Sequence, residues 1–529
     1  MCGIFTVYDS SHQWQSIEQS FNKISYRGPD SSSYIHINDK LIMAFHRLAI
    51  MGVSDSGNQP MKHPDDESIT LMCNGEIYNF KTLAQKYNFN LSTGSDCEII
   101  LHLFKEVGIE KTIGQLDGVF MFTIYDEIND ILYAGRDPMG VRPGFISGTD
   151  NGTFISSEAK SLIKYSDSIM PFPPGSWWSS ESPEKFERYF YYDTNKPSSD
   201  GENEILKNVK SLLTEAVVKR LMSEREIGCL LSGGLDSSLI ASIVSKNYSG
   251  DKLNTFSIGM EGSVDIKYAQ VVADFIESNH HSIQISEKDF LDSIETVIYN
   301  IESYDTTTVR ASVGNYLVSK YIKDNTDCKV IFNGDGSDEV CCGYLYLRNA
   351  PNSKKLQLES ERLVKELYLY DVLRSDRSIS SNGLEARTPF LDKKFVKYYL
   401  SIPAALKTFN SKNKIEKELL RKAFNDGTFL PEDVLWRRKV AFSDGVSSQK
   451  KSWHKIIQDH VDQKITDKEF SDAKIVITHC TPLLKESYYY RKIFESFFPN
   501  SEKLIPHFWM PKWSDTIDPS ARELEDYRE

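Results

Sequence analysis

Long apolar runs are missing. No uninterrupted hydrophobic stretch approaches the roughly 20 residues that a membrane helix needs. The N-terminal Met1-Cys2-Gly3-Ile4-Phe5-Thr6-Val7-Tyr8-Asp9 has no basic region and meets an acid early, unlike a signal peptide. Cysteine is sparse, eight in 529 residues with no Cys-x-x-Cys pair. That argues against a disulfide framework and a structural zinc site, and fits a reducing compartment. Three Asn-x-Ser/Thr sequons, at Asn90, Asn151 and Asn247, carry little weight if the chain is never secreted. Basic residues are also short: 62 Lys and Arg against 75 Asp and Glu leave a formal charge of -13. Such a surface repels phosphate backbones unless a basic patch is concentrated, and clusters such as Arg437-Arg438-Lys439 are short. The expectation is a cytoplasmic protein with neither nucleic acid nor membrane as partner.

Hydrophobic residues at 40% and aromatics at 12% are enough to build sizeable cores, and the length allows two to four domains. The N-terminal third holds short strand-like runs, Ser68 to Asn74, Gly118 to Tyr125 and Asp130 to Gly135, interrupted by a helical segment from Asp96 to Val107. This predicts an α+β domain with a large antiparallel component. From Asp193 to Glu204 the composition turns to Asp, Asn, Pro, Ser, Gly and Glu, the mark of an exposed connection. Domains are accordingly expected over 2–195 and 205–529. Past the connection, Ile205, Val209, Leu212, Leu213, Ala216 and Val217 recur at helical spacing. Ile227 to Leu231, Thr255 to Met260 and Lys329 to Asn333 read as short buried strands separated by helices. Strands alternating with helices predict an α/β domain with a parallel sheet. From about Leu356 the chain is helix-rich.

Chemistry concentrates in a few motifs. Removal of Met1 would leave Cys2 with a thiol and a free α-amine on one carbon. The amine, with an ordinary pKa of about 7.7–8.0, can accept the thiol proton. A disordered end is the bland alternative, but Gly3-Ile4-Phe5 continues as an apolar strand. Tyr26-Arg27-Gly28-Pro29-Asp30 reads as a turn, and Arg47 is a candidate carboxylate clamp. Asn74-Gly75-Glu76 sets an amide beside a backbone N–H, as an oxyanion hole requires, and Asp96 could hold an ammonium. Alone, each is as readily a hairpin turn or a surface charge. Together they describe a pocket for an α-amino acid with a side-chain amide.

The second motif, Leu231-Ser232-Gly233-Gly234-Leu235-Asp236-Ser237-Ser238, links a buried strand to a helix. Its backbone N–H groups and the helix N-terminus suit a pyrophosphate. The Gly-Lys-Ser/Thr ending of a Walker loop is missing, so the chemistry should differ from γ-phosphoryl transfer. Asp236 in an anion loop implies a Mg²⁺ between carboxylate and phosphates. Asn333-Gly334-Asp335-Gly336-Ser337-Asp338-Glu339 follows another strand; if the two strands are neighbours, Asp236 and Asp338 converge on one metal. A calcium loop is the competing reading, but the spacing lacks the terminal Glu of an EF-hand. Thr306-Thr307-Thr308-Val309-Arg310 and the stretch Arg437 to Gly445 offer cations for phosphate or carboxylate, or simply solvated basic faces.

Met1-Cys2-Gly3-Ile4, Ser232-Gly233-Gly234-Leu235-Asp236-Ser237, Glu385-Ala386-Arg387-Thr388-Pro389-Phe390-Leu391-Asp392 and Asp518-Pro519-Ser520-Ala521-Arg522 occur in the order seen in glutamine-hydrolysing asparagine synthetases. The chain resembles that family over essentially its whole length. The resemblance implies an N-terminal-nucleophile glutaminase domain of stacked antiparallel sheets with helices, followed by a parallel-sheet ATP-pyrophosphatase domain. It implies that Cys2 attacks glutamine while Asn74 and the Gly75 N–H stabilise the oxyanion. Arg47, Leu48, Ala49, Ile50, Met51, Asn74, Gly75, Glu76 and Asp96 would hold the glutamine. Leu231, Ser232, Gly233, Gly234, Asp236, Ser237, Ile258, Asn333 and Gly334 would bind ATP, and Asp236 and Asp338 would bind Mg²⁺. Thr307, Thr308 and Arg310 would line the aspartate and pyrophosphate region, Lys439 would offset charge on phosphorus, and Asp335 would serve adenylate formation. Aspartate would react as β-aspartyl-AMP with ammonia tunnelled from the first site, in a homodimer. Two departures stand out: the family's Ser-Gly-Glu-Gly-Ser-Asp-Glu has Asn333 and Asp335 here, and Val440-Ala441 replace the usual Glu-Gln or Glu-Ala. A β-lactam-synthetase-like relative and a partner-binding paralogue are the alternatives; retention of Cys2 and Asp236 argues against both.

Overall fold

The computed structural model describes residues 1–192, 196–409, 414–439, 445–447 and 452–519. Asp193 of the expected connection, Val440 to Asp444 and Ser520-Ala521-Arg522 lie outside the described residues. The chain divides into two compact units. The first comprises Met1–Tyr191 together with Met222–Glu226 and Ile379–Glu385, and the second Tyr192–Leu221, Ile227–Ser378 and Ala386–Glu529. Two short later segments thus pack with the first 191 residues, which a single boundary does not provide for.

The first unit is built on two six-stranded sheets. Near the centre of one, Gly3–Tyr8 runs antiparallel to Leu41–Arg47 and to Gly152–Ser156, with Phe5 opposite Ala44 on one side and Ser156 on the other. Its side chains alternate between two apolar layers, as the strand period of two requires. Ile4 points into the layer shared with the second sheet, among Met43, Met72, Met121 and Trp178. Phe5 points away and meets Phe21 of the helix Trp14–Asn22, with ring centres 6.3 Å apart. Burying such a side chain contributes about 1.5–3 kcal/mol, so the strand that follows Cys2 is anchored on both faces. In the second sheet, Asp66–Ile77 pairs with Gly118–Asp126. Its outer face is covered by Phe80–Tyr87 and Glu98–Gln115 through Leu83, Ile100 and Phe104.

Several boundaries move relative to the sequence expectations, three of them with a physical consequence. The strand expected to end at Asn74 continues to Ile77: Gly75 lies so close to the next strand that a Cβ would stand 2.3 Å from the Val119 carbonyl oxygen. Asn74-Gly75 is therefore strand interior, not a hairpin turn. The helix expected over Asp96 to Val107 begins at Glu98 and is prolonged to Gln115 across a break at Gly108, where φ is 74°. The strand read as Lys329 to Asn333 shortens to Val330–Phe332.

The second unit carries a sheet ordered Asn279–Gln284, Asn254–Gly259, Ile227–Leu230, Val330–Phe332, Glu385–Arg387. The first four run parallel to one another. Numbered along the chain this order is 3-2-1-4-5, so the direction of progression reverses between Ile227–Leu230 and Val330–Phe332. Parallel sheets bind ligands beyond the carboxyl ends of strands at such a switch point. Both glycine-bearing acidic loops emerge there. Helices such as Leu235–Asn247, Thr306–Asn325 and Lys485–Phe497 complete the unit.

Candidate active sites

In the first unit, the main chain of Cys2 is held from two directions. Its N–H donates to Asn74 Oδ1 at 3.0 Å, and its carbonyl accepts from Arg27 Nε at 2.9 Å. Arg27 is buried and paired with Glu158 at 2.6 Å, so this anchor is itself rigid. The sulfur sits 3.4 Å from the Leu48 N–H. Asn74 uses its carboxamide oxygen on Cys2, while its Nδ2 is buried and has no hydrogen-bond partner among the described residues. A buried unpaired donor costs about 1–3 kcal/mol. Beside a cysteine, that donor is suited to donate to a developing oxyanion.

The loop after Arg47 is equally fixed. Ala49 N–H donates to Asp30 at 2.8 Å, while Gly52 and Val53 N–H groups donate to the two oxygens of Glu224 at 3.0 and 3.3 Å. The Glu224 N–H returns a bond to the Ile50 carbonyl at 3.0 Å. Leu48, Ala49 and Ile50 are buried and Met51 is partly exposed. Arg47, expected as a carboxylate clamp, donates to Ser54 O at 2.9 Å, to Asn58 Oδ1 at 2.8 Å and to Gly52 O. Most of its fork therefore shapes the loop. Glu76 and Asp96 are buried nearby in the fold, and Asp96 Oδ2 accepts the Ile77 N–H at 2.5 Å.

Electrostatics depends on Met1. Burial pushes the Cys2 thiol up to about 11, only partly opposed by the adjacent α-amine and the Leu48 hydrogen bond. Burial lowers the Met1 α-amine to about 6. While Met1 is attached, the basic amine is one residue removed and Cys2 nitrogen is an amide without a basic lone pair. The thiol then rests protonated.

In the second unit, a cavity of about 320 Å³ opens at the sheet switch point. Leu231, Ser232, Gly234, Asp236, Ser237 and Ile258 line one side, and Asn333, Gly334, Asp335 and Asp338 another. Gly233 itself lies behind the lining. The loops touch: Ser337 Oγ donates to Asp236 Oδ1 at 2.8 Å, and a Cβ on Gly334 would come within 2.8 Å of the Ser237 nitrogen. Asp236 and Asp338 converge on a single ammonium, that of Lys417, at 2.6 Å each. Lys439 pairs with the other oxygen of Asp338. Burial pushes the Asp338 pKa up, but Lys417 and Lys439 outweigh it and hold the carboxyl well below the usual range. The same pairs raise Lys417 against its burial. Lys417 escaped sequence reasoning because a lysine within Lys414-Ile415-Glu416-Lys417-Glu418 reads as a solvated face. Arg374, which holds Asp335 Oδ1 at 2.8 Å, was equally silent.

Thr307, Thr308 and Arg310 also line this cavity, on the first turns of Thr306–Asn325. Asp305 caps that helix, accepting the Thr308 N–H at 2.9 Å and both threonine hydroxyls at 2.8 Å. Arg310 is the surprise. It bonds Glu486 through Nε and Nη2 at 2.7 and 2.6 Å, and Asp518 through Nη1 and Nη2 at 3.0 and 2.8 Å. Expected as a free cation for substrate, it stands here between two carboxylates.

A cysteine with a poised amide donor in stacked antiparallel sheets, and a glycine loop with paired aspartates at a parallel-sheet switch point, define a glutamine amidotransferase joined to a nucleotide-dependent synthetase. Residues 1–219 match the glutamine amidotransferase domain family, and residues 208–361 and 348–517 match the asparagine synthase family. Over 559 aligned positions the chain is 44% identical to asparagine synthetase [glutamine-hydrolyzing] of Gallus gallus and to that of Rattus norvegicus, and 43% identical to that of Homo sapiens. Each alignment covers 100% of this chain and 99% of the relative. The chain belongs to the glutamine-hydrolysing asparagine synthetase family.

Proposed function

We propose that the chain makes asparagine from aspartate, taking nitrogen from glutamine and converting ATP to AMP and pyrophosphate. The observation that carries the first half is the buried Asn74 Nδ2, without a partner beside Cys2. Once Met1 is removed, the Cys2 amine takes the thiol proton and sulfur attacks the glutamine amide carbon. Asn74 Nδ2 and the Gly75 N–H donate to the oxygen that becomes negative, ammonia leaves, and water frees glutamate from the thioester. Arg47, the Leu48–Met51 backbone, Glu76 and Asp96 hold the amino acid.

In the cavity, Leu231 and Ile258 face the nucleoside, together with Asn333 and Gly334, and the Ser232–Ser237 loop holds the pyrophosphate. The aspartate β-carboxylate attacks the α-phosphorus, with Thr307, Thr308 and Arg310 around it, and Lys439 offsets charge there. Asp335, fixed by Arg374, serves formation of the adenylate. Ammonia tunnelled from the first site then displaces AMP from β-aspartyl-AMP. The donors present fit Mg²⁺: two carboxylates already share one cation, and Mg²⁺ is commonly bound by one or two carboxylates plus substrate phosphates. Asp236 and Asp338 would hold the ion, which neutralises phosphate charge when bound. A cytoplasmic location and a homodimer complete the reading, both on family resemblance. Among the described residues no helix is long and apolar enough to cross a membrane.

One assay for asparagine, AMP and pyrophosphate, with glutamine or ammonium as donor, tests this. Cys2→Ala should abolish glutamine-driven synthesis and leave ammonia-driven synthesis largely intact. Equal loss of both in a folded variant would overturn the two-site assignment.

A further inference from the structure

Gly233 adopts a left-handed conformation, φ +72°, and its back is crowded: a Cβ would stand 2.4 Å from the Ala269 nitrogen and 2.5 Å from the Tyr268 backbone. The helix Val264–Phe275 therefore backs the loop directly. Arg437 joins the same surface. Its Nη1 donates to the Gly233 carbonyl at 2.9 Å and its Nη2 pairs with Asp265 Oδ1 at 2.8 Å. Its guanidinium carbon lies 4.2 Å from the Tyr268 ring centre. Three different contacts thus fix one guanidinium.

In a planar trans peptide, the carbonyl and the following N–H point in opposite directions. Tying the Gly233 oxygen to Arg437 turns the Gly234 N–H the other way. That N–H is found donating to Ser232 Oγ at 3.3 Å, within the loop that faces the cavity.

We propose that Arg437 is a positioning residue that locks the Gly233–Gly234 peptide so that its N–H, and not its carbonyl, faces the pyrophosphate. The inference rests on the pyrophosphate role proposed above for this loop. Between two glycines a peptide has little steric bias of its own, and a flipped one would aim a carbonyl oxygen at phosphate. Arginine suits the task because its planar fork can bond a carbonyl and a carboxylate while stacking on a ring. A lysine offers a point charge and no stack. The residue belongs to Arg437-Arg438-Lys439, where the sequence shows only a short basic run.

The test uses the full chain with inorganic pyrophosphate and AMP as separate probes in binding titrations. Arg437→Met should weaken pyrophosphate binding roughly tenfold, the worth of one charge-assisted hydrogen bond, and leave AMP binding unchanged. Arg437→Lys should recover only part of the loss. A general disturbance of the fold would weaken both probes together, and that result, or unchanged pyrophosphate binding, overturns the proposal. Should Arg437→Met fail to fold, Tyr268→Leu loosens the same guanidinium and must give the same selective loss. Failure of the unsubstituted protein to bind pyrophosphate would instead remove the loop assignment on which this rests.

Discussion

Asp335 stands where the resemblance leads one to expect glutamate, and its surroundings are seated on the shorter acid. Its Oδ1 is 2.8 Å from Arg374 Nη2, and its N–H donates to Asn333 Oδ1 at 3.2 Å. Asn333 is in turn fixed by Ser375, 2.8 Å away, and Arg374 also pairs with Asp371 at 3.2 Å. Oδ2 of Asp335 is buried with no hydrogen-bond partner among the described residues, which leaves it available for the role in adenylate formation proposed above. Asp335→Glu inserts one carbon–carbon bond, about 1.5 Å. With Arg374 held by Asp371, the longer side chain must fold back off its preferred rotamer, costing about 0.5–1.5 kcal/mol, or surrender the ion pair. Either displaces the unpartnered oxygen on the order of 1 Å, and if it serves the adenylation proposed above, such misplacement can cost ~10²-fold in rate. We expect aspartate-dependent pyrophosphate release to fall 10- to 100-fold by these figures, with glutaminase activity untouched. More glutamate would then form per asparagine. The assay is pyrophosphate release beside the glutamate-to-asparagine ratio. A rate equal to or above that of the unsubstituted protein would refute the argument that Arg374 and Asn333 are matched to aspartate.

Two further outcomes follow from the first unit. Asn74→Ala should lower glutamate release about 10²–10³-fold, as loss of one oxyanion donor does, while ammonia-driven synthesis persists; a loss below fivefold would deny Asn74 that role. His46 is buried, stacked on Phe21 with ring centres 3.7 Å apart, and burial lowers its pKa from 6.5 to about 4. Its contribution to stability is present above pH 6.5 and is lost as pH falls towards 4, about 3 kcal/mol in all. His46→Phe should flatten that part of the pH dependence in denaturant titrations followed on the first unit, and an unchanged slope would refute it.

Much of this was legible because local chemistry and global fold agree. The buried run Ile227 to Leu231 followed by Ser232-Gly233-Gly234 places a strand, a turn and a helix start with little room for alternatives. The pairing of that strand with Val330–Phe332 was only a condition in the sequence, because parallel neighbours are joined through long crossovers and leave no local trace. Partners that complete a site from afar were hidden for a related reason. Lys417, Arg374 and Glu224 lie in charged stretches whose composition is that of solvated surface; tertiary contact buries the first two and ties the third, still exposed, to the Gly52 and Val53 amides. Arg310 shows the converse: its residue type suggests a free cation, whereas Glu486 and Asp518, 176 and 208 positions later, occupy it.

The loop that follows Arg47 has a bearing on how readily the first unit can be cut from the chain. Its Gly52 and Val53 amides rest on Glu224, whose own amide rests on Ile50. An excised fragment ending at Tyr191 would contain Cys2 and Asn74, yet would leave three backbone groups of that loop to solvent. The first 191 residues are consequently not a cassette that can be cut out and grafted elsewhere intact. A portable glutaminase would need residues 222–226 returned to it, and with them 379–385, the other later segment that packs with this unit.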